Sequence, residues 1–223
     1  MLKLLPNLLA DGVLPEEVFP RGAMDAARTL DGLIAESEKG ARRYLKQVNI
    51  PVQLLNEHTQ DVTPLLAPLL RGETWGLISD AGLPCLADPG SRLVLSAHEL
   101  GIPVMAHVGP SSLVLALMLS GLPAQNFHFH GYLERKELLL RRQLKEMERQ
   151  SATHLFIEAP YRNQKLLGEL LGTLADGTWL SIACDLTAPT QVVLTRPVRL
   201  WKKGPLPCVH KRPVVFLFAS SVT

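Results

Sequence analysis

TWGLISDAGLPCLADPGSRLVLSAHELG, residues 74–101, sets a run dense in turn formers between two segments of plain character. TWGLI is short and apolar and reads as a buried strand, and SRLVLSAHEL carries helical spacing. Between them Asp80, Gly82, Pro84, Asp88, Pro89 and Gly90 punctuate the chain. Asp88 reads as the N-cap of the following helix, with Pro89 in its first turn. That role leaves SDAG and LPCLA unexplained. Small residues there let backbone N–H and C=O groups approach a ligand closely. Strand, loop and helix in that order form the repeating unit of a parallel α/β sheet, whose ligands sit beyond the carboxyl ends of the strands.

The flanking sequence repeats the unit. LKLL (2–5), GLIAE (32–36), PVQLLNE (51–57) and PVMAHV (103–108) read as strands. Helical patterns cover 23–30, 37–48 and 62–72 between them. Ser37 reads as the N-cap of the second, and Thr63 caps the third with Pro64 at its first position. GPSS (109–112) opens an apolar helix that runs to Ser120 and offers two hydroxyls on the same rim as SDAG. From GLPAQNF (121–127) onward the pattern changes. HFHGYL (128–133) is extended, 134–150 is a charged helix, THLFIEAP (153–160) is a strand and 161–174 is a helix. WLSIACDL (179–186), TQVVLTRPVRLW (190–201) and RPVVFLFA (212–219) then follow as successive strands. The expected architecture is α/β in two domains, with a parallel sheet in 1–120 and a mixed sheet in 121–223.

Composition narrows the class. The chain has 223 residues, 47% hydrophobic and 20% charged, with a net charge of +2, ordinary values for a globular protein. So small a charge permits contact with nucleic acid without arguing for it. Cys85, Cys184 and Cys208 show no zinc-type spacing and imply a reducing, cytoplasmic setting. Pro6 breaks the N-terminal apolar run, so no signal peptide is expected. SSLVLALMLSGLPA (111–124) is too short to span a bilayer.

Several familiar sites are missing. Pro6, Asn7 and Leu8 follow the first strand where a dinucleotide-binding fold would carry GxGxxG. There is no P-loop and no GxSxG elbow. His128 and His130 share one face of an extended segment, but no third ligand lies nearby in sequence, which favours a structural or surface role. The near-balanced charges of 134–150 read as a solvated helix face. Lys202, Lys203, Lys211 and Arg212 form a second basic group able to add to an RNA-facing surface.

The order SDAGLPCLADPGSRLV, GIPVMAHVGPSSLVLALMLSGLP, FHFHGYLERK, LFIEAPYRN, ACDLT resembles the tetrapyrrole methylase superfamily. Within it the likeness is nearest to the ribosomal RNA small-subunit methyltransferase I group, in a short form without the C-terminal extension. It covers residues 1–219. The resemblance implies an S-adenosylmethionine-dependent methyltransferase of two α/β domains, with the cofactor in the cleft between them and a homodimeric assembly. By position it implies that Ser79, Asp80, Ala81, Gly82 and Pro84 line the cofactor, with Pro6 closing one side and Ser111 and Ser112 beside it. From the second domain it implies Tyr132, Ala183, Cys184 and Pro213.

Two segments depart from the family pattern. NLLADGVLPEEVFP (7–20) replaces a Gly-Asn-Leu-x-Asp stretch, and Glu36-Ser37-Glu38-Lys39 replaces Glu-Asp-Thr-Arg. Both lie where the acceptor is handled, so three readings stay open. The chain is a 2′-O-methyltransferase of small-subunit ribosomal RNA, a methyltransferase for a small molecule, tetrapyrrole or protein, or a non-catalytic S-adenosylmethionine-binding protein. A ribose hydroxyl is a poor nucleophile and calls for a base. Glu36, Glu158 and Asp80 fall at strand ends, and Glu36 is the first candidate for a catalytic role.

Overall fold

The computed structural model describes residues 1–44, 50–56 and 58–222, with Arg43 described by its backbone alone. The expected helix end at 45–48 and Glu57 of the expected third strand lie outside the described residues. The chain divides into two units, Met1–Ser111 and Ser112–Thr223.

The first unit runs β1 (Leu2–Leu4), α1 (Pro15–Val18), α2 (Arg21–Ala27), β2 (Gly32–Ala35), α3 (Glu38–Tyr44), β3 (Val52–Leu54), α4 (Thr63–Leu70), β4 (Trp75–Ile78), α5 (Ser91–Glu99) and β5 (Val104–Ala106). Its strands pair in the order β3-β2-β4-β1-β5, every pair parallel. A sheet covered on both faces needs apolar residues at successive positions. β2 and β4 are accordingly buried at every residue. One cluster of Leu2, Ile34, Leu65, Leu66, Leu69, Trp75, Leu77 and Leu93 packs beneath α4 and α5. A second, with Leu5, Leu30, Leu33 and Ile78, lies on the other face.

The second unit continues with α6 (Ser112–Ser120), β6 (Phe127–Tyr132), α7 (Glu137–Glu148), β7 (Thr153–Ile157), α8 (Asn163–Thr173), β8 (Trp179–Cys184), β9 (Val192–Pro197), α9 (Val198–Trp201) and β10 (Val214–Ala219). Its sheet is mixed, in the order β6-β7-β10-β8-β9, with β6 and β7 parallel and the other neighbours antiparallel. α6 packs against β8, β9 and β10, so it belongs to this unit although the sequence pattern reads it with the first. The core gathers Leu140, Leu144, Phe156, Leu167, Leu170, Phe216, Phe218 and Trp201. The Phe156 and Phe216 rings stack at 5.9 Å between centroids.

Local differences from the sequence reading have simple causes. Thr63 is not a cap: Val62 holds that position, and the Thr63 N–H donates to Asp61 Oδ1 at 2.9 Å. Asp88 is not a cap either, since α5 begins at Ser91 after Gly90 with φ +132°. The strand expected over 190–201 stops at Pro197. Val198 and Trp201 are both buried, a three-residue spacing that suits one face of a helical turn and not a strand.

Candidate active site

Four loops leave the carboxyl rim of the first sheet together. Leu4 is level with Leu77 and with Ala106, and Ala35 is level with Ile78. The segments beginning at Pro6, Glu36, Ser79 and His107 therefore emerge side by side. That places Pro6, Glu36, Ser79, Asp80, Ala81, Gly82, Pro84 and Ser111 on one rim of the first unit. Ser112, Tyr132, Ala183, Cys184 and Pro213 fall in the second unit.

Asn7, to which the sequence reading assigned no role, organises the loop. It is 2% exposed. Its Nδ2 donates to the carbonyls of Ser79 (2.8 Å) and Asp80 (3.3 Å), and its Oδ1 accepts from the Leu8 N–H. Its backbone exchanges two hydrogen bonds with Gly82, at 2.7 and 3.1 Å. Gly82 has φ +74° and lies against Pro110, a left-handed conformation that a side chain would strain. Gly109 is required by space: a Cβ there would stand 2.0 Å from Pro6 Cβ.

The acidic segment at 36–40 braces the loop from the other side. Glu36 Oε2 accepts from the Asp80 N–H at 3.0 Å. Ser37 Oγ donates to Asp80 Oδ1 at 2.7 Å and accepts from the Gly40 N–H at 3.0 Å, which makes it the cap expected for α3. Ser79 is buried, and its hydroxyl donates to the Ala81 carbonyl. Beyond Pro84 the backbone is strained, with φ +68° at both Cys85 and Ala87. Burial, then the charge of Glu36, pushes the Asp88 carboxyl up to about 6. Burial pushes the Cys85 thiol up to about 11, which leaves it inert as a nucleophile at neutral pH.

In the second unit Tyr132 is exposed, while Ala183 and Cys184 are buried at the end of β8. Burial, with Asp185 next, holds the Cys184 thiol at about 12. Asp185 follows with φ +49°, pinned by two bonds to its Oδ2 from Arg212, at 2.9 and 2.7 Å. The Asp185 N–H donates to the Pro213 carbonyl at 3.1 Å. Cys184 and Pro213 therefore flank one turn. Glu158, a candidate base by position, is 9% exposed and bonded to Arg162 Nε at 2.9 Å, an ion pair that occupies its carboxylate.

A parallel α/β sheet followed by a mixed one is an architecture with precedent among methyltransferases. A crystal structure of the methyltransferase CobJ matches 97% of this chain and 91% of its own, with a TM-score of 0.64 at 15% identity, a likeness of fold. The model of the tetrapyrrole (corrin/porphyrin) methylases matches residues 15–200, and the chain belongs to that family. Ribosomal RNA small subunit methyltransferase I of Halalkalibacterium halodurans is 36% identical over 73% of this chain, and that of Xylella fastidiosa 34% over 80%. The Vibrio cholerae protein of the same name is 31% identical over 79%. The matched regions span 58%, 66% and 62% of those relatives' own lengths.

Proposed function

We propose that this protein is an S-adenosylmethionine-dependent methyltransferase acting on a ribose 2′-hydroxyl of small-subunit ribosomal RNA, working as a homodimer. The observation that carries the reading is the 79–84 loop, held in place by Asn7, Glu36 and Ser37 in a chain of the methylase family. The names of its relatives point the acceptor toward ribosomal RNA.

The rim suits the proposed cofactor. S-adenosylmethionine supplies an electrophilic methyl group on a positively charged sulfur. Glu36, Asp80 and Asp88 make this rim electronegative; burial first, and then the charges of Glu36 and Asp80, raise the Asp88 pKa. Gly82, at positive φ and with both backbone groups paired to Asn7, fixes the path of the loop. In this reading residues 79–82, Pro84, Pro6 and Ser111 hold the cofactor from the first unit. The likeness to the methylase family proposes Ser112, Tyr132, Ala183, Cys184 and Pro213 as cofactor-binding residues as well. Glu36 takes the acceptor's proton, with its carboxylate oriented by the Asp80 N–H. The remaining barrier is lowered by alignment of acceptor and donor and by exclusion of water.

Calorimetric titration of S-adenosylmethionine into the protein and into Asp80→Ala tests the cofactor. Micromolar affinity, weakened about tenfold or more in the variant, is expected. Absence of binding would overturn the reading. Methyl transfer to small ribosomal subunits from a strain lacking the endogenous activity tests the acceptor. Glu36→Gln should bind the cofactor and lose turnover; unchanged transfer by that variant removes Glu36 from the chemistry.

A further inference from the structure

The fold supplies the third ligand that the sequence reading lacked. His128 and His130 lie on β6, and His154 lies on β7 with His128 directly opposite it in register. One nitrogen from each ring can be chosen so that all three lie within 4.8 Å of one another. Nε2 of His130 and Nδ1 of His154 are 2.9 Å apart. The His154 ring is completely buried against Phe218, and its Nε2 has no well-formed hydrogen bond. His130 is half-buried and His128 is exposed. None of the three is used by the proposed methyl transfer.

We propose that His128, His130 and His154 form a binding site for a divalent first-row transition ion, zinc foremost, that staples the edge strand β6 to β7. Three imidazoles are a donor set suited to zinc, copper or nickel and ill suited to calcium or magnesium. Two nitrogens on a tetrahedral zinc stand about 3.3 Å apart, given Zn–N bonds of about 2.0–2.1 Å. The His130–His154 pair needs to open by only a few tenths of an ångström. The exposed His128 ring is free to swing inward, and water completes the fourth position. Neutral imidazole is the ligand form.

The site has a structural consequence. Among the described residues β6 pairs only with β7, and its register shifts between Phe129 and Tyr132, where Gly131 has φ +63°. An ion bridging His128 and His130 to His154 fixes the strand just before that bulge, and with it the backbone that carries Tyr132.

The test is calorimetric titration of zinc chloride into the full chain, freed of any affinity tag and of residual metal. One equivalent should bind with a dissociation constant at or below the micromolar range. Saturating zinc should raise Tm by about 5 °C. His128→Ala and His130→Ala should each weaken binding at least tenfold. His128→Ala should keep the metal-free Tm, since its ring is exposed, while His98→Ala, at an exposed position of α5, should change nothing. Cobalt(II) should give the visible absorption of a four-coordinate site, lost in His128→Ala. Millimolar affinity, or equal affinity in the parent and both strand variants, would overturn the proposal.

Discussion

At the scale of single residues, the loop after β4 depends on a few side chains whose work is backbone satisfaction. Asn7→Ala removes two donors from the Ser79 and Asp80 carbonyls in a buried place. It should cost about 1–3 kcal/mol of stability and loosen cofactor binding; unchanged Tm and affinity would show that the loop stands without it. Asp88 answers a different question. Its pKa is raised on folding from 3.8 to about 6, so the folded state binds the proton more tightly. Stability contributed by this group therefore rises as pH falls from above 6 toward 4. Asp88→Asn should be more stable than the parent at pH 8, by about 1 kcal/mol after solvent screening of a partly exposed group, and not at pH 4. Urea titrations at the two pH values check this, and an equal difference at both would rule it out. Ala87 sits at φ +68° on the surface, where glycine carries no Cβ penalty. Ala87→Gly should stabilise by about 1 kcal/mol in the same assay.

At the scale of elements, burial separates what matters from what decorates. α9 is a single turn, yet it seats Trp201 at 1% exposure with its Nε1 donating to the Leu180 carbonyl at 2.9 Å. Trp201→Ala should lower stability by about 3–5 kcal/mol. The ion pair of Arg142 with Glu146 on α7 has both side chains more than half exposed. Glu146→Gln should change stability by less than about 0.5 kcal/mol. A large effect at Glu146, or a small one at Trp201, would invert this ranking. The alternation of strand and helix through residue 120 was legible because each strand is a short apolar run and each helix keeps its own period. The end of β9 was not. Val198 and Trp201 continue the apolar pattern of the strand, and only packing shows that they share one side of a turn.

At the scale of the whole molecule, the net charge of +2 bears on the proposed acceptor. A protein with so little excess charge gains little from counterion release on naked RNA. Recognition would then rest on the shape of an assembled particle. Small ribosomal subunits should be methylated at least tenfold faster than the same RNA free of protein, with a shallow dependence on salt. Comparable rates on both, or a steep salt dependence, would place recognition in the RNA backbone instead. Among the described residues no helix is long and apolar enough to cross a membrane.

Sequence alone determined the α/β class, the position of the 79–90 loop on a strand-to-helix rim and the cap at Ser37. Each of these follows from neighbours along the chain, where turn chemistry and hydrophobic period act. Tertiary structure decided the rest. Asn7 organises a loop that is distant in sequence, Glu158 is occupied by Arg162, α6 joins the second sheet, and His154 meets His128 and His130. These outcomes turn on strand order and register, which bring residues far apart in the chain onto one rim or one face. A linear pattern of side chains does not encode which strands become neighbours.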